Sequence, residues 1–183
     1  MGADYLAFST TQLDAGLVDR TSQVVACAMK TERYLVSGDC WAVTAPKDFS
    51  QFLLNVAQLL PPGSVLCIEA CCSPRPVLEF LNEHKVEATI KLPRGTLLPR
   101  SEMFHLPVTD ENLRQLDNVI ASSDAGAIPT HVQAYNGDSI LLQWFDASAR
   151  DPIFASKKIS ENALREFCAK LGCELTSGIP HKR

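Results

Sequence analysis

Between Lys47 and Leu92 the hydrophobic period of the chain changes repeatedly, and that alternation most narrows the folds open to it. Phe49, Phe52, Leu53, Val56, Leu59 and Leu60 follow the i, i+3, i+4, i+7 stripe of an amphipathic helix. Pro61-Pro62-Gly63 stops that helix. The run Ser64–Ala70 (SVLCIEA) is short, apolar and bounded by turn formers, as a buried strand is. In SPRPVLEFLNEH, Ser73 is placed to cap a second helix, with Pro74 at its first position, where a missing N–H costs nothing. Val86–Leu92 (VEATIKL) alternates as another strand. Tyr34–Val43 reads as a strand broken at Gly38, so the first half has a β-α-β-α-β rhythm. That rhythm predicts a sheet that is at least partly parallel. Two further extended stretches precede it, Tyr5–Thr10 and Ser22–Met29.

The second half reads differently. Thr109 caps a helix running to about Ile120, and Val108 is placed to staple onto Leu113. THVQAYNGDSILLQWFDA is a β-hairpin, with Asn136-Gly137 as its two-residue turn. A last helix starts near Ser160, with Ile159 stapling onto Leu164, and ends at a Gly172 C-cap. The expected class is therefore α/β or α+β: about four helices on a mixed sheet, with the hairpin flanked by helices. A chain of 183 residues suffices for one core, and no flexible linker divides it, so residues 1–183 are expected to form a single domain.

Charge and composition exclude several functions. A net charge of −4 gives no basic face for nucleic acid. No window reaches the roughly 18 apolar residues of a membrane span, and the first residues match neither a secretory leader nor a myristoylation signal. Seven cysteines, an odd number without a leader, point to reduced thiols and a cytoplasmic protein. No C-x-x-C pair occurs and no histidine lies within a few residues of any cysteine, so neither a metal nor a cofactor is expected. Phosphate-loop, dinucleotide, zinc-protease, EF-hand and nucleophile-elbow motifs are all missing from the sequence.

Four places remain where binding or chemistry could reside. The first is Lys91–Pro107 (KLPRGTLLPRSEMFHLP), which repeats Leu-Pro-Arg six residues apart. In polyproline II geometry Arg94 and Arg100 would share a face roughly 19 Å apart. That spacing suits two acidic patches on a partner, with Met103 and Phe104 beside them. The plainer expectation is a rigid connector, unless Gly95 bends it. The second is the pair Cys71 and Cys72, at a strand-to-helix turn whose amides and Arg75 would favour a thiolate. The phosphatase spacing is missing, since the arginine positions hold Val77 and Leu78. The third is His105 and His131 with Asp138 and Asp146. A turn at Asn136-Gly137 pairs His131 with Leu142 and leaves Asp146 about 13 Å away, too far for a dyad. The fourth is SILLQWF, apolar on both faces: Ile140, Leu142 and Trp144 on one, Leu141 and Phe145 on the other. This marks a central strand, or one covered by a second copy in a homodimer.

The function these features favour is a small cytoplasmic protein-interaction module of the adaptor, inhibitor or immunity type. It would bind a protein partner through Arg94, Arg100, Met103, Phe104 and Arg75. One alternative is a thiol enzyme acting on an anionic substrate through Cys71 or Cys72, with His105 or His131 as base. The other is a small-molecule binding domain, for which a pocket would be the sign.

Overall fold

A computed structural model describes residues 35, 40–70, 73–96, 101–123 and 129–177, all within one compact unit, Arg33–Arg183. The expected strands at Tyr5–Thr10 and Ser22–Met29 lie outside the described residues. The fold is α+β. Among the described residues seven strands form one sheet: β1 (Cys40–Val43), β2 (Val65–Ala70), β3 (Glu102–Pro107), β4 (His131–Asn136), β5 (Ser139–Trp144), β6 (Ile153–Ser156) and β7 (Leu175–Ser177). Four helices accompany it: α1 (Phe49–Leu59), α2 (Arg75–His84), α3 (Asp110–Ser122) and α4 (Glu161–Leu171). Among the described residues no helix is long and apolar enough to cross a membrane.

The sheet order is β3-β2-β4-β5-β6-β1-β7, and every pairing is antiparallel. The expected parallel pairing is thus absent among the described residues, although the rhythm behind it is real. β3 and β4 both run antiparallel to β2, so they are parallel to each other with β2 between them. By the same count β1 and β2 run the same way, with β4, β5 and β6 interposed. α1, α3 and α4 each link strands that run the same way, as the period predicted for α1, whereas α2 joins the antiparallel neighbours β2 and β3. The neighbours of those strands come from elsewhere in the chain.

The helices cover one face. Phe52, Leu53 and Val56 of α1, Val77 and Leu81 of α2, Leu113 and Leu116 of α3, and Leu164 and Phe167 of α4 bury against Leu66, Ile68, Val132, Leu142 and Trp144 of the sheet. The centre is aromatic: the Phe52 ring meets Trp144 edge-on at 5.0 Å and Phe167 at 6.2 Å. Side chains this size contribute about 1.5–3 kcal/mol each on burial. Local signals set the helix ends. Asp48, Thr109 and Ser160 each accept a backbone N–H at the start of α1, α3 and α4, and Gly172 closes α4 with φ of 64°. At α2 the expected Ser73 cap gives way to Pro74, which makes no side-chain capping bond.

The second face carries a smaller cluster of Cys67, Tyr135, Ile140 and Leu92. Val86–Leu92, expected as a strand, pairs with no strand among the described residues. Instead the chain bonds to the sheet edge, Val86 N–H to the His105 carbonyl at 2.7 Å. It then crosses this face as a strap, packing Ile90 and Leu92 onto it. β5 is the fourth of seven strands, as apolar residues on both its faces require.

Candidate functional site

The strap is held by polar side chains of the sheet. Glu69 on β2 is 1% exposed and accepts from the Gly95 amide at 2.8 Å, the Thr96 amide at 3.0 Å and the Ser101 hydroxyl at 2.5 Å. Burial alone would raise its pKa. The three donors, with His131 nearby, more than offset that and hold the carboxyl below its ordinary value. Gln133 donates to the Pro93 carbonyl at 2.8 Å, Gln143 donates to Gln133 at 3.0 Å, and the Leu35 amide donates to Gln143 at 2.7 Å. These residues stand in cross-strand register, Glu69 opposite His131 and Gln133 opposite Gln143. The row therefore ties successive strands to one overlying chain.

His131 is 7% exposed and supports the strap from below. The Asp146 amide donates to Nδ1 at 2.8 Å, so the ring proton sits on Nε2, which donates to Thr96 Oγ1 at 3.0 Å. This corrects the expected separation of His131 and Asp146. The turn is Gly137-Asp138, one residue later than Asn136-Gly137, so Asn136 pairs with Ser139. Gly137 has φ of 57°, the positive value a type II′ turn needs at its first central residue. A bulge between Ala134 and Tyr135 moves the register again. His131 thereby meets Phe145, ring centroids 5.8 Å apart, rather than Leu142. The same bulge sends Ile140 to the second face and leaves Leu141 with Leu142 and Trp144 in the main core. Directly over the imidazole lies Gly95, where a Cβ would sit 2.3 Å from Cδ2 and 2.4 Å from Cγ.

His105 lies on β3 with Nδ1 3.0 Å from the Tyr135 hydroxyl and Nε2 3.9 Å from Cys67 Sγ. Burial lowers the His105 pKa and pushes the Cys67 thiol up to about 12. A thiol this far from ionising is no nucleophile near neutral pH. Cys71, Cys72 and Arg100 lie outside the described residues. Arg75 is exposed and pairs with Glu79 at 2.7 Å on its own helix. Arg94 is half-buried and donates to the Ser101 carbonyl, within the same Lys91–Pro107 segment. Its last part is strand β3. There Met103 packs on the second cluster, and Phe104, 1% exposed, belongs to the main core. The six described residues among the nine nominated from sequence therefore do not converge: His131 and Arg94 adjoin Glu69, whereas His105 sits by Cys67. Among the described residues no three histidine, cysteine or acidic side chains are placed to hold a metal ion.

Sequence reasoning missed a groove on the helix side of the sheet. A cavity of about 530 Å³ opens where the C-terminal end of α1 meets the start of α4 and the β4–β5 hairpin. Leu59, Leu60, Leu141 and Ile159 form its floor. Gln58, Asn136, Ser139 and Lys158 stand at its rim. Lys158 Nζ donates to Ser139 Oγ at 2.6 Å, and Gln58 Oε1 accepts from Lys170 at 2.6 Å. Its residues come from three separated stretches, so no local motif signals it. Comparison with protein-family models, with curated proteins and with solved structures finds no match to this chain.

Proposed function

We propose that this protein is a protein-interaction module that docks its partner in the groove between α1, α4 and the hairpin. The groove itself carries the proposal: it has an apolar floor, a polar rim and a volume of about 530 Å³. Enclosed sites for small molecules bury most of the ligand's surface among predominantly apolar side chains. This cleft has nearly as many polar as apolar residues around it and is not enclosed, which suits a segment of a partner better. The polar residues of the second face favour binding over catalysis. Glu69 and His131 spend their hydrogen bonds on the strap and on the Asp146 amide. Cys67, Cys168 and Cys173 are free thiols, which suits a reducing compartment such as the cytoplasm.

Capture from native lysate at low and high salt, read by mass spectrometry, tests this. Wild type is compared with Ala163→Gln, which narrows the groove while adding the second half of a capping box with Ser160, and with Arg94→Ala. A near-stoichiometric partner lost only in Ala163→Gln is the expected result. Loss only in Arg94→Ala would return the interface to Lys91–Pro107. No partner at either salt would remove the interaction reading.

A further inference from the structure

Resting on that reading, we infer that the groove takes an acidic segment of a partner protein, with Lys158 as its counter-charge. Two observations support this. None of the described residues lining the groove is acidic, and Lys158 is the one cation among them. Asp138 accepts from the Ser139 hydroxyl at 3.5 Å but does not line the cleft.

The rim also offers hydrogen-bond donors more than acceptors. The Gln58 carbonyl oxygen is taken by Lys170, which leaves its amide NH2 for an occupant. The Lys158 ammonium has three N–H donors and spends one on Ser139. The Asn136 amide is turned inward, to the Pro62 carbonyl at 3.0 Å and Ser64 Oγ at 3.3 Å.

The floor of Leu59, Leu60, Leu141 and Ile159 asks for apolar side chains between the acids. An acidic segment interleaved with leucine or isoleucine meets both demands.

The test is an NMR titration of the full, isotope-labelled chain. The probe is a short blocked peptide alternating glutamate and leucine; its lysine–leucine counterpart, inorganic phosphate and free glutamate serve as comparisons. The expected result is saturable shifts at the Ser139, Lys158, Ser160 and Ala163 amides with the acidic peptide, weakened by salt. Lys158→Glu and Ala163→Glu should each weaken binding by about fivefold or more, the scale of a surface charge pair. Ala163→Glu also completes a capping box with Ser160, so its loss of binding is not loss of fold.

Equal binding of the lysine peptide, shifts away from the groove, or no shifts would overturn the inference. The same shifts from phosphate or glutamate at equal concentration would overturn it too, in favour of a small-anion site. A lysate partner that needs the groove but carries no acidic segment would sink this inference alone. The absence of any groove-dependent partner sinks the module reading instead.

Discussion

Gly95→Ala tests the strap most directly, because two effects of opposite sign compete there. The φ of Gly95 is not in the left-handed region, so its backbone conformation admits alanine. Where nothing obstructs the new methyl, such a change stabilises by about 0.4–1 kcal/mol by restricting the unfolded chain. Here the added Cβ would lie 2.3 Å from Cδ2, 2.4 Å from Cγ and 2.5 Å from Nε2 of His131. Comfortable carbon contacts are about 3.5–4.0 Å, so either the ring or the strap must move by more than about 1 Å. Swinging the ring breaks its bonds to the Asp146 amide and Thr96, each worth about 0.5–1.5 kcal/mol. Lifting the strap strains the Gly95 and Thr96 amide bonds to the Glu69 carboxylate, each worth about 1.5–3 kcal/mol. The cheaper route, moving the ring, costs about 1–3 kcal/mol, the range of an overpacked site. In a domain this size the melting temperature should fall by roughly 2–12 °C. Calorimetry and urea unfolding of Gly95→Ala, His131→Ala and the double variant give the cycle. The double should be more stable than the sum of the singles by about 1 kcal/mol or more, because removing the ring removes the clash. A neutral or stabilised Gly95→Ala would refute the packing of strap on imidazole, as would additivity.

Glu69→Gln should destabilise the protein at pH 7 by about 1–3 kcal/mol, since a neutral amide accepts the three donors less well and adds an N–H where acceptors are wanted. The folded carboxyl titrates below its ordinary value, so its contribution is complete above the unfolded pKa of 4.5 and is lost as pH falls below it. Wild type and variant should therefore converge on acidification, and stability curves that stay parallel from pH 6 to about 3 would contradict this. Cys67, with its thiol raised to about 12, should stay unlabelled by iodoacetamide at pH 8 in the folded protein. Mass spectrometry showing it labelled as fast as in urea would remove the buried Cys67–His105 arrangement.

Helix ends and helix faces were legible because their signals are local. α4 is the clearest case: the Ser160 cap, the stripe through Leu164, Phe167 and Leu171, and Gly172 stand where sequence puts them. Strand pairing was not legible, because it depends on chain distant in sequence. The alternation in Val86–Leu92 is real, but it reflects one-sided packing of Ile90 and Leu92 on a sheet face rather than ladder hydrogen bonds. Periodicity reports which side of an extended chain is buried and is silent on what lies alongside it. The hairpin shows how a small local error spreads. Moving the turn by one residue and adding the Ala134/Tyr135 bulge shift the partner of His131 from Leu142 to Phe145. That brings the Asp146 amide, expected out of reach, to 2.8 Å from the ring.

The strap and the groove follow from one feature of the topology. The helices linking parallel strands all pack on one face of the sheet, so the other face needs a cover. The cover is irregular chain, whose amides require acceptors and whose carbonyls require donors: Glu69 accepts from the Gly95 and Thr96 amides, and Gln133, braced by Gln143, donates to the Pro93 carbonyl. A charged residue buried in a strand, which suggests a catalytic carboxylate when met alone, is accounted for here by three donors from the strap and its neighbour Ser101. On the helix side, α1 ends at Pro61-Pro62 just where α4 begins, and the hairpin turn projects beside both. Three chain ends that cannot interdigitate leave a cleft between them, and its rim keeps donors that the fold does not use. The second face thus spends its polar groups on holding the fold together, and the unspent ones lie at the groove.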